Sequence, residues 1–546
     1  MRGQRLFRPI RGTLWGAVVL ALLCFASLDT ARAQVLYGSV SGNVRDTTGG
    51  AIPGVEVTIT NPATNFSQTA VTNEAGAYLI TNVPRGTYTL RATMSGFREF
   101  VNENVVVTVG NVTRQDVTLQ VGGVAETITV SGASTLLQTD TSEVKVQVES
   151  KEITDLPLNQ YRNYQSLLNL VPGATPGEFQ NAVTDTPGRA LTTNVNGTAR
   201  NNNNTRIDGA QSVNIWLPHH TAYVPPSETI EVVNVSTNNF DAEQGFAGGA
   251  ALTVVTKSGT NELSGSVFGY HENSALNARD FFNYLDDDGD GEADNPAGRR
   301  SITGFTLGGP IMKDKFFFFG GWEGTFQGLA RTQTVTVATA AQRAGDFSAF
   351  LPGADPNVPD AIIFDPLSGN PDGTGRTPFP NNIIPQDRMS PAARTLQDLV
   401  PLPNLPGVTD NFERSGTEAL DRHNIDAKVD YYFSENYRTW GKFSFMDAEV
   451  TKDAIFGPAG GGAIGGGGDG RGLTDVKVYG IGHTWTITPT FLMDGNFGVN
   501  DMDQEVLTAD IDTGNFGQEV LGIPGTNSTE PQSRACMVGG INRCGG

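Results

Sequence analysis

Residue types that carry catalysis or hold metals are scarce. The chain has five histidines and three cysteines in 546 residues. No histidine opens an HExxH zinc-protease motif and no GxSxG nucleophile turn occurs, so neither common hydrolase constellation is present and no enzyme is expected. Cys24 sits in the apolar N-terminal segment, which leaves only Cys536 and Cys544. Two thiols exclude a disulfide framework and permit one local loop staple in an exported protein. Positive charge is also short: 37 Lys and Arg stand against 58 Asp and Glu, a formal net charge of −21. That balance opposes nucleic-acid binding, which needs basic phosphate-neutralising patches, and docking on anionic lipid. After the first 33 residues no apolar run approaches the roughly 20 residues that span a bilayer as a helix. A membrane-embedded mature chain would therefore have to cross as a β-barrel.

The N-terminus differs from the rest. Arg2, Arg5, Arg8 and Arg11 precede an apolar run from Leu14 to Leu28, and Ala31-Arg32-Ala33 supplies small residues for cleavage. Residues 1–33 thus read as a secretory signal peptide, with a membrane anchor as the alternative. Losing its five arginines and one aspartate takes the formal charge from −21 to −25.

Residues 35–122 read as a small β-sandwich. Val55, Val57 and Ile59 alternate with Glu56, Thr58 and Thr60 behind a turn containing Gly49, Gly50, Pro53 and Gly54. Further alternating runs surround Tyr78 to Ile80, Tyr88 to Ala92, Val105 to Val109 and Val117 to Val121, with Gly76 and Pro84-Arg85-Gly86 as punctuation. Short strands at such spacing suit a sandwich. The stretches "VSGNVRDTTGGAIPGVEVTITN" and "TNEAGAYLITNVPRGTYTLRA" resemble the carboxypeptidase regulatory-like family, which implies a noncatalytic sandwich and no peptidase activity.

Residues 123–139 hold a glycine-flanked strand, "GVAETITVSG", and a linker. The strand can either complete the preceding sandwich or donate an edge to a partner's sheet. Residues 140–258 change texture. Leu167, Leu168 and Leu170 sit in a short predicted helix stopped by Pro172-Gly173, and strands are expected at Ile230 to Val235 and Ala251 to Thr256. The reading is a small α+β unit, with Val195 and Ile207 as isolated strand markers and an asparagine run at 201–204.

The order of a PGA helix end, an NG...R...IDG segment (Asn196, Gly197, Arg206, Asp208, Gly209) and a closing GG...VTK (Gly248, Gly249, Val255, Thr256, Lys257) resembles the plug of TonB-dependent outer-membrane receptors, Oar-like in having the regulatory-like domain in front. The resemblance implies that Glu126, Thr127, Ile128, Thr129 and Val130 are a TonB box, gripped by a TonB-type energy-transducing protein of the inner membrane. It further implies a periplasmic sandwich, an outer-membrane lipid environment and an extracellular ligand that the sequence does not identify.

Residues 261–546 alternate. Ile425, Ala427, Val429, Tyr431 and Phe433 oppose Asn424, Asp426, Lys428 and Asp430; a Ser434 to Asn436 turn leads to Tyr437, Thr439, Gly441, Phe443 and Phe445 opposite Arg438, Lys442 and Ser444. A second hairpin carries Tyr479, Ile481, Trp485 and Ile487, then Phe491, Met493, Phe497 and Val499 opposite Asp494, Asn496 and Asn500. "GFTLGGPIMKDKFFFFGGWEG" predicts a third, turning at Lys313 to Lys315, its phenylalanines suited to an interfacial girdle. Strands of about ten residues with lipid-type and lumen-type faces predict a barrel, with a one-side-wet soluble sandwich as the alternative. Long insertions are expected from Arg331 to about Arg422 and at 457–472. Lumen-facing Asp426, Lys428, Arg438 and Asp494 read first as ordinary polar lining. A 22-stranded family barrel cannot close within residues 261–546, so the chain is expected to be the N-terminal part of a longer protein or a truncated product.

The fold expectation is mainly β: sandwich, α+β plug and an incomplete antiparallel transmembrane barrel. "DDDGDGEAD" spaces Asp286, Asp288, Asp290 and Asp294 as a calcium loop would, although Ala297 stands where the bidentate glutamate belongs; structural calcium and a solvated acidic loop both remain open. No other cofactor is expected. His219-His220 reads as a polar loop. The functional expectation is a TonB-dependent receptor for energy-coupled uptake or export. The alternative is a noncatalytic outer-membrane protein for adhesion, carbohydrate binding or envelope assembly.

Overall fold

The computed structural model describes residues 37–122, 127–129, 144–156, 158–179, 191–214, 220–240, 244–245, 247–278, 297–354, 356, 358, 360–465, 468–488, 491–509 and 516–524. The signal-peptide features, Glu126, Val130, His219, the acidic run Asp286 to Asp294 and both C-terminal cysteines lie outside these residues.

Alternation folds the N-terminal region into two facing sheets. β1 (Gly38–Asp46) pairs with β4 (Ala77–Val83), β7 (Val112–Arg114) and β8 (Val117–Leu119). The second sheet runs β3 (Ser67–Val71), β2 (Glu56–Thr60), β5 (Gly86–Thr93), β6 (Glu99–Val107) and β9 (Thr127–Thr129). Val55, Val57 and Ile59 point inward onto Tyr88, Leu90 and Ala92, all with no exposed surface, and the glutamate and threonines between them face out. Val109 leaves the sandwich and packs on Val232 and Val255 of the next unit.

The middle unit is α+β. Tyr164–Leu170 is a 3-10 helix that buries Leu167 and Leu168 and leaves Leu170 exposed. After β10 (Val144–Glu149), a small hairpin joins β11 (Glu178–Phe179) to β12 (Leu191–Thr192). The main sheet has the order β10, β15 (Ile230–Asn238), β16 (Ala251–Thr256), β13 (Asn204–Ile207), β14 (Ala210–Gln211). Val195 forms only an isolated bridge to Ala174.

Seven strands then form one antiparallel meander in chain order: β17 (Ser264–Asn273), β18 (Gly298–Met312), β19 (Phe316–Val335), β20 (Phe412–Ser434), β21 (Tyr437–Lys452), β22 (Gly470–Thr488) and β23 (Phe491–Leu507). Ile425, Val429, Tyr479, Ile481, Phe491 and Phe497 stand exposed on one face. Asn424, Asp426, Lys428, Arg438, Lys442 and Ser444 are buried on the other. An apolar face left outward with a polar face inward is the lipid-and-lumen arrangement. The inner face also carries Met446, Ala448, Val476 and Val478, which merge with the middle unit's core around Tyr164, Tyr223 and Val254. That continuity fixes the middle unit against the sheet's inner side.

Three expectations need correction. β18 to β23 run from 15 to 23 residues, well over the expected ten. Their ladders continue past the apolar band through polar pairs such as Thr332 with Ser415 and Thr334 with Glu413. The long insertion accordingly begins after Val335 and ends before Phe412, and the glycine-rich one ends at Gly470. The four phenylalanines at 316–319 do not form one girdle. Successive strand residues face opposite ways, so Phe317 is fully buried, edge-on to Tyr432 with ring centroids 5.5 Å apart.

Truncating Leu90 to Ala in the sandwich removes a fully buried side chain and is expected to destabilise it by about 2–5 kcal/mol. A chemical-denaturation midpoint unchanged from that of the parent sandwich would contradict this core assignment.

Candidate functional site

The central group of the site is a carboxylate presented on a two-residue turn. Ile207 and Ala210 pair across Asp208 and Gly209, whose φ values are 47° and 82°. Two consecutive positive φ values define the type I′ hairpin, which suits Asp-Gly. The turn directs Asp208 into the middle unit's sheet, where it accepts from the Thr256 backbone N–H at 3.0 Å and the Thr256 hydroxyl at 2.6 Å.

The barrel wall brings two lysines to the same carboxylate. Lys428 of β20 and Lys442 of β21 are direct cross-strand partners on the inner face. Like charges in directly opposed positions repel. Asp208 sits between them, 3.3 Å from Lys428 Nζ and 2.9 Å from Lys442 Nζ, with all three side chains almost completely buried. Burial by itself raises the Asp208 pKa, but the two ammonium groups and the Thr256 hydrogen bonds outweigh it and hold the carboxyl well below the usual carboxylate range. Lys428 also donates to the Thr256 carbonyl, and Thr229 donates to Asp426 at 2.9 Å.

A second cluster lies further along the inner face. Arg162 pairs with Glu228 at 3.1 Å and lies 4.0 Å over the Tyr270 ring. Arg422 pairs with buried Glu323 and donates to Thr325. Tyr161 donates to Gln327 at 2.9 Å, and Arg300 stacks over its ring. Tyr161 and Arg162 both hold positive φ, 67° and 55°, a backbone strain of about 1–3 kcal/mol per residue that the surrounding contacts must offset. At the far edge the β13–β14 hairpin meets β23, where Asn500 donates to the Gln211 carbonyl and a Cβ on Gly498 would lie 2.3 Å from that of Ala210.

The motif residues divide. Asp208, Gly209 and Thr256 meet at the lysine pair. Asn196 and Gly197 form a separate turn, Asn196 donating to the Thr237 carbonyl. Gly248 and Gly249 donate their backbone N–H groups to the Asn202 carbonyl, while Asn203 and Asn204 fasten the neighbouring chain through Thr193, Ala250 and Gln244. The asparagine run therefore holds the glycine turn. Arg206 lies in β13 beside Gln211 and Thr253. Lys257 lines a cavity, its ammonium pKa lowered by burial against the opposing pull of Glu231 and Glu228.

Of the candidate box, Thr127, Ile128 and Thr129 pair in parallel with Glu99, Phe100 and Val101, placing β9 at the edge of a sandwich sheet. Among the described residues no cluster of three metal-ligating side chains occurs. Arg162, Glu228, Glu323 and Arg422 were not singled out from sequence, and Lys442 was read only as an inner-face residue. The signal for the lysines was present: counting back from the Ser434 to Asn436 turn sets Lys428 against Lys442, which calls for an anion. Nothing local to Arg162 or Glu323 shows what each would meet.

A meander with an apolar outer face and a globular unit on its inner face defines an outer-membrane β-barrel protein. The chain belongs to the outer membrane beta barrel domain family, whose profile matches residues 255–542, and it resides in the outer membrane. The carboxypeptidase regulatory-like domain profile matches residues 39–120. The chain is similar to the TonB-dependent transporter Oar of Myxococcus xanthus, 28% identical over 344 residues covering 61% of this chain and 30% of that protein. It thus spans about 30% of that relative's length. Among solved structures, the outer membrane transporter YddB from Escherichia coli gives a TM-score of 0.40 at 12% identity over 65% of this chain and 38% of its own. The ferric enterobactin receptor from Pseudomonas aeruginosa gives 0.37 at 11% over 66% and 41%.

Replacing Asp208 with Ala leaves two facing ammonium groups buried without a counter-charge, and a loss of about 3–5 kcal/mol is expected, read as protease release of the middle unit at lower denaturant. Because the folded-state pKa is depressed, this stabilisation is complete above the unfolded value of about 4 and falls away as pH drops towards the folded one. Asp208→Asn should lack that acid limb; an identical acid profile in the variant would rule out the assignment.

Proposed function

We propose that this protein is a TonB-dependent receptor and transporter in which the middle unit is the plug. The observation that carries the reading is the Asp208 carboxylate of the middle unit clamped between Lys428 and Lys442 of the barrel wall. One short motif thereby ties a globular unit to the inner face through a buried charged centre, which holds the lumen shut yet can be released together with the surrounding contacts. Similarity to a TonB-dependent transporter supports the same reading.

In this mechanism an extracellular ligand, not identified by these residues, engages the long loops and the outer side of the plug. A TonB-type protein of the inner membrane grips the segment Glu126 to Val130 from the periplasm by strand addition. Backbone hydrogen bonds supply the affinity of such an added strand. Among the described residues β9 lies at the end of its sheet order, with one edge open to a further strand. Pulling there loads the chain leading into β10 and loosens the plug from the lysine pair. The Asp286, Asp288, Asp290 and Asp294 run would bind calcium as a structural ion in the segment after β17.

Ile128→Pro removes a backbone donor and cannot sit in a central ladder position. In the full-length protein it is expected to lower capture of the periplasmic domain of a TonB-type protein at least tenfold in a pull-down. Capture equal to that of the parent would remove the box assignment.

A further inference from the structure

A cavity of about 610 Å³ lies where the three units meet. The middle unit contributes Thr256 and Lys257, the barrel wall contributes Asp430 and Arg438, and the sandwich lines one side with Tyr37 and the segments 61–64 and 84–87. Its size is that of a site for a small molecule. Its lining is unusual for packing space: Asp430 Oδ2 and Arg438 Nε are both buried with no protein hydrogen-bond partner. Ser258 bonds to the Asp430 carboxylate and Arg438 donates through another nitrogen to the Asn82 carbonyl, so one carboxylate oxygen and one guanidinium N–H are left for a polar occupant to satisfy. Lys257 adds a third polar group to the same wall.

The floor of this cavity is held by contacts that can be undone. Asn65 donates to Asp314 at 2.9 Å in the short β18–β19 turn, and Asn261 bridges Asp314 and the Ala63 carbonyl. Arg85 pairs with Glu149 and Glu231, each partly exposed. Ion pairs in such settings contribute at most about 1 kcal/mol each. The Arg438 guanidinium rests 4.0 Å over Tyr37 and donates to the Asn82 carbonyl, Lys145 donates to the Gly110 carbonyl at 2.7 Å, and the apolar share is Val109 on Val232 and Val255 with Phe66 edge-on to Tyr432. β9, the strand proposed to receive the pull, is paired to β6 of this same sandwich. Force applied at β9 therefore reaches the floor directly through the β6 ladder.

We propose that this cavity is a transit chamber for a polar solute carrying both hydrogen-bond donors and acceptors, and that the sandwich is its movable floor. This rests on the energy-coupled reading above, since pulling at β9 is what moves the floor. The plug and the sandwich are then two barriers in series, released by one strand.

The test uses the full-length protein in cells, with Cys536 and Cys544 changed to Ser and Ser258→Cys placed in the chamber wall. Asn65→Cys with Asp314→Cys locks the floor to the barrel turn, the 65–314 bond being verified by peptide mass. A small sulfonated thiol reagent that reaches the periplasm is the probe, and modification is read at residue 258. The expected result is labelling at least tenfold faster in the reduced, energised state than in the locked state. Equal labelling in the two states, or a residue 258 that stays protected when the lock is open, would overturn the movable floor. Depleting the TonB-type protein separates the two readings: labelling that depends on the lock but not on this protein would leave the floor standing and remove the energy coupling.

Discussion

Two lysines facing each other across a ladder cannot stay buried without an anion between them, and the remainder of the arrangement follows from that. Lys428 and Lys442 are fixed as partners by the β20–β21 register. The middle unit supplies the carboxylate that bonds to both, so its placement on the sheet is set to within a hydrogen bond. Thr256 ties the same carboxylate to β16, and Gly209 lets the turn present it. The inner-face apolar group around Met446 and Val476 adds contact area but little direction. Desolvated charge gives the register, and hydrophobic burial gives adhesion.

The three units are joined by interfaces of different character. Between the middle unit and the sheet, ion pairs are buried and hydrogen-bonded, as with Asp208 and Lys442. Breaking such a pair singly is costly, so the joint behaves as closed or open with little between. Between the sandwich and its neighbours the pairs are partly exposed and the apolar overlap is small. Polar interfaces of that kind permit relative motion of domains. The gradient runs from a firmly held middle unit to a more lightly held sandwich.

Much of the fold was legible before any coordinates. Alternation at Val55, Val57 and Ile59 and at Ile425 to Phe433 identified strands and their buried faces correctly, because a half-buried strand writes its environment into every second residue. Strand ends were less legible: the ladder of β19 and β20 continues through polar residues where alternation carries no burial signal. The phenylalanine run at 316–319 misled because composition suggested one face where the pleat imposes two. Of the site, Asp208, Gly209 and Thr256 were visible as a motif and Lys428 and Lys442 as inner-face residues, while the pairing of the two groups was not. The asparagine run at 201–204 gave no sign of its role, yet the Asn202 carbonyl clamps Gly248 and Gly249.

By itself the amino-acid sequence determined the class of protein: an exported, acidic, mainly β chain whose apolar residues alternate and never accumulate into a spanning helix. These are local properties, decided by period, turn residues and charge along a few residues at a time. Tertiary structure alone decided which charges meet. Asp208 and Lys442 are separated by more than two hundred residues, and Arg85 finds Glu231 only because the sandwich docks beneath the middle unit. Such pairings depend on the register and docking of whole sheets. Those are settled by the summed burial of many side chains, and no short stretch of sequence contains that sum.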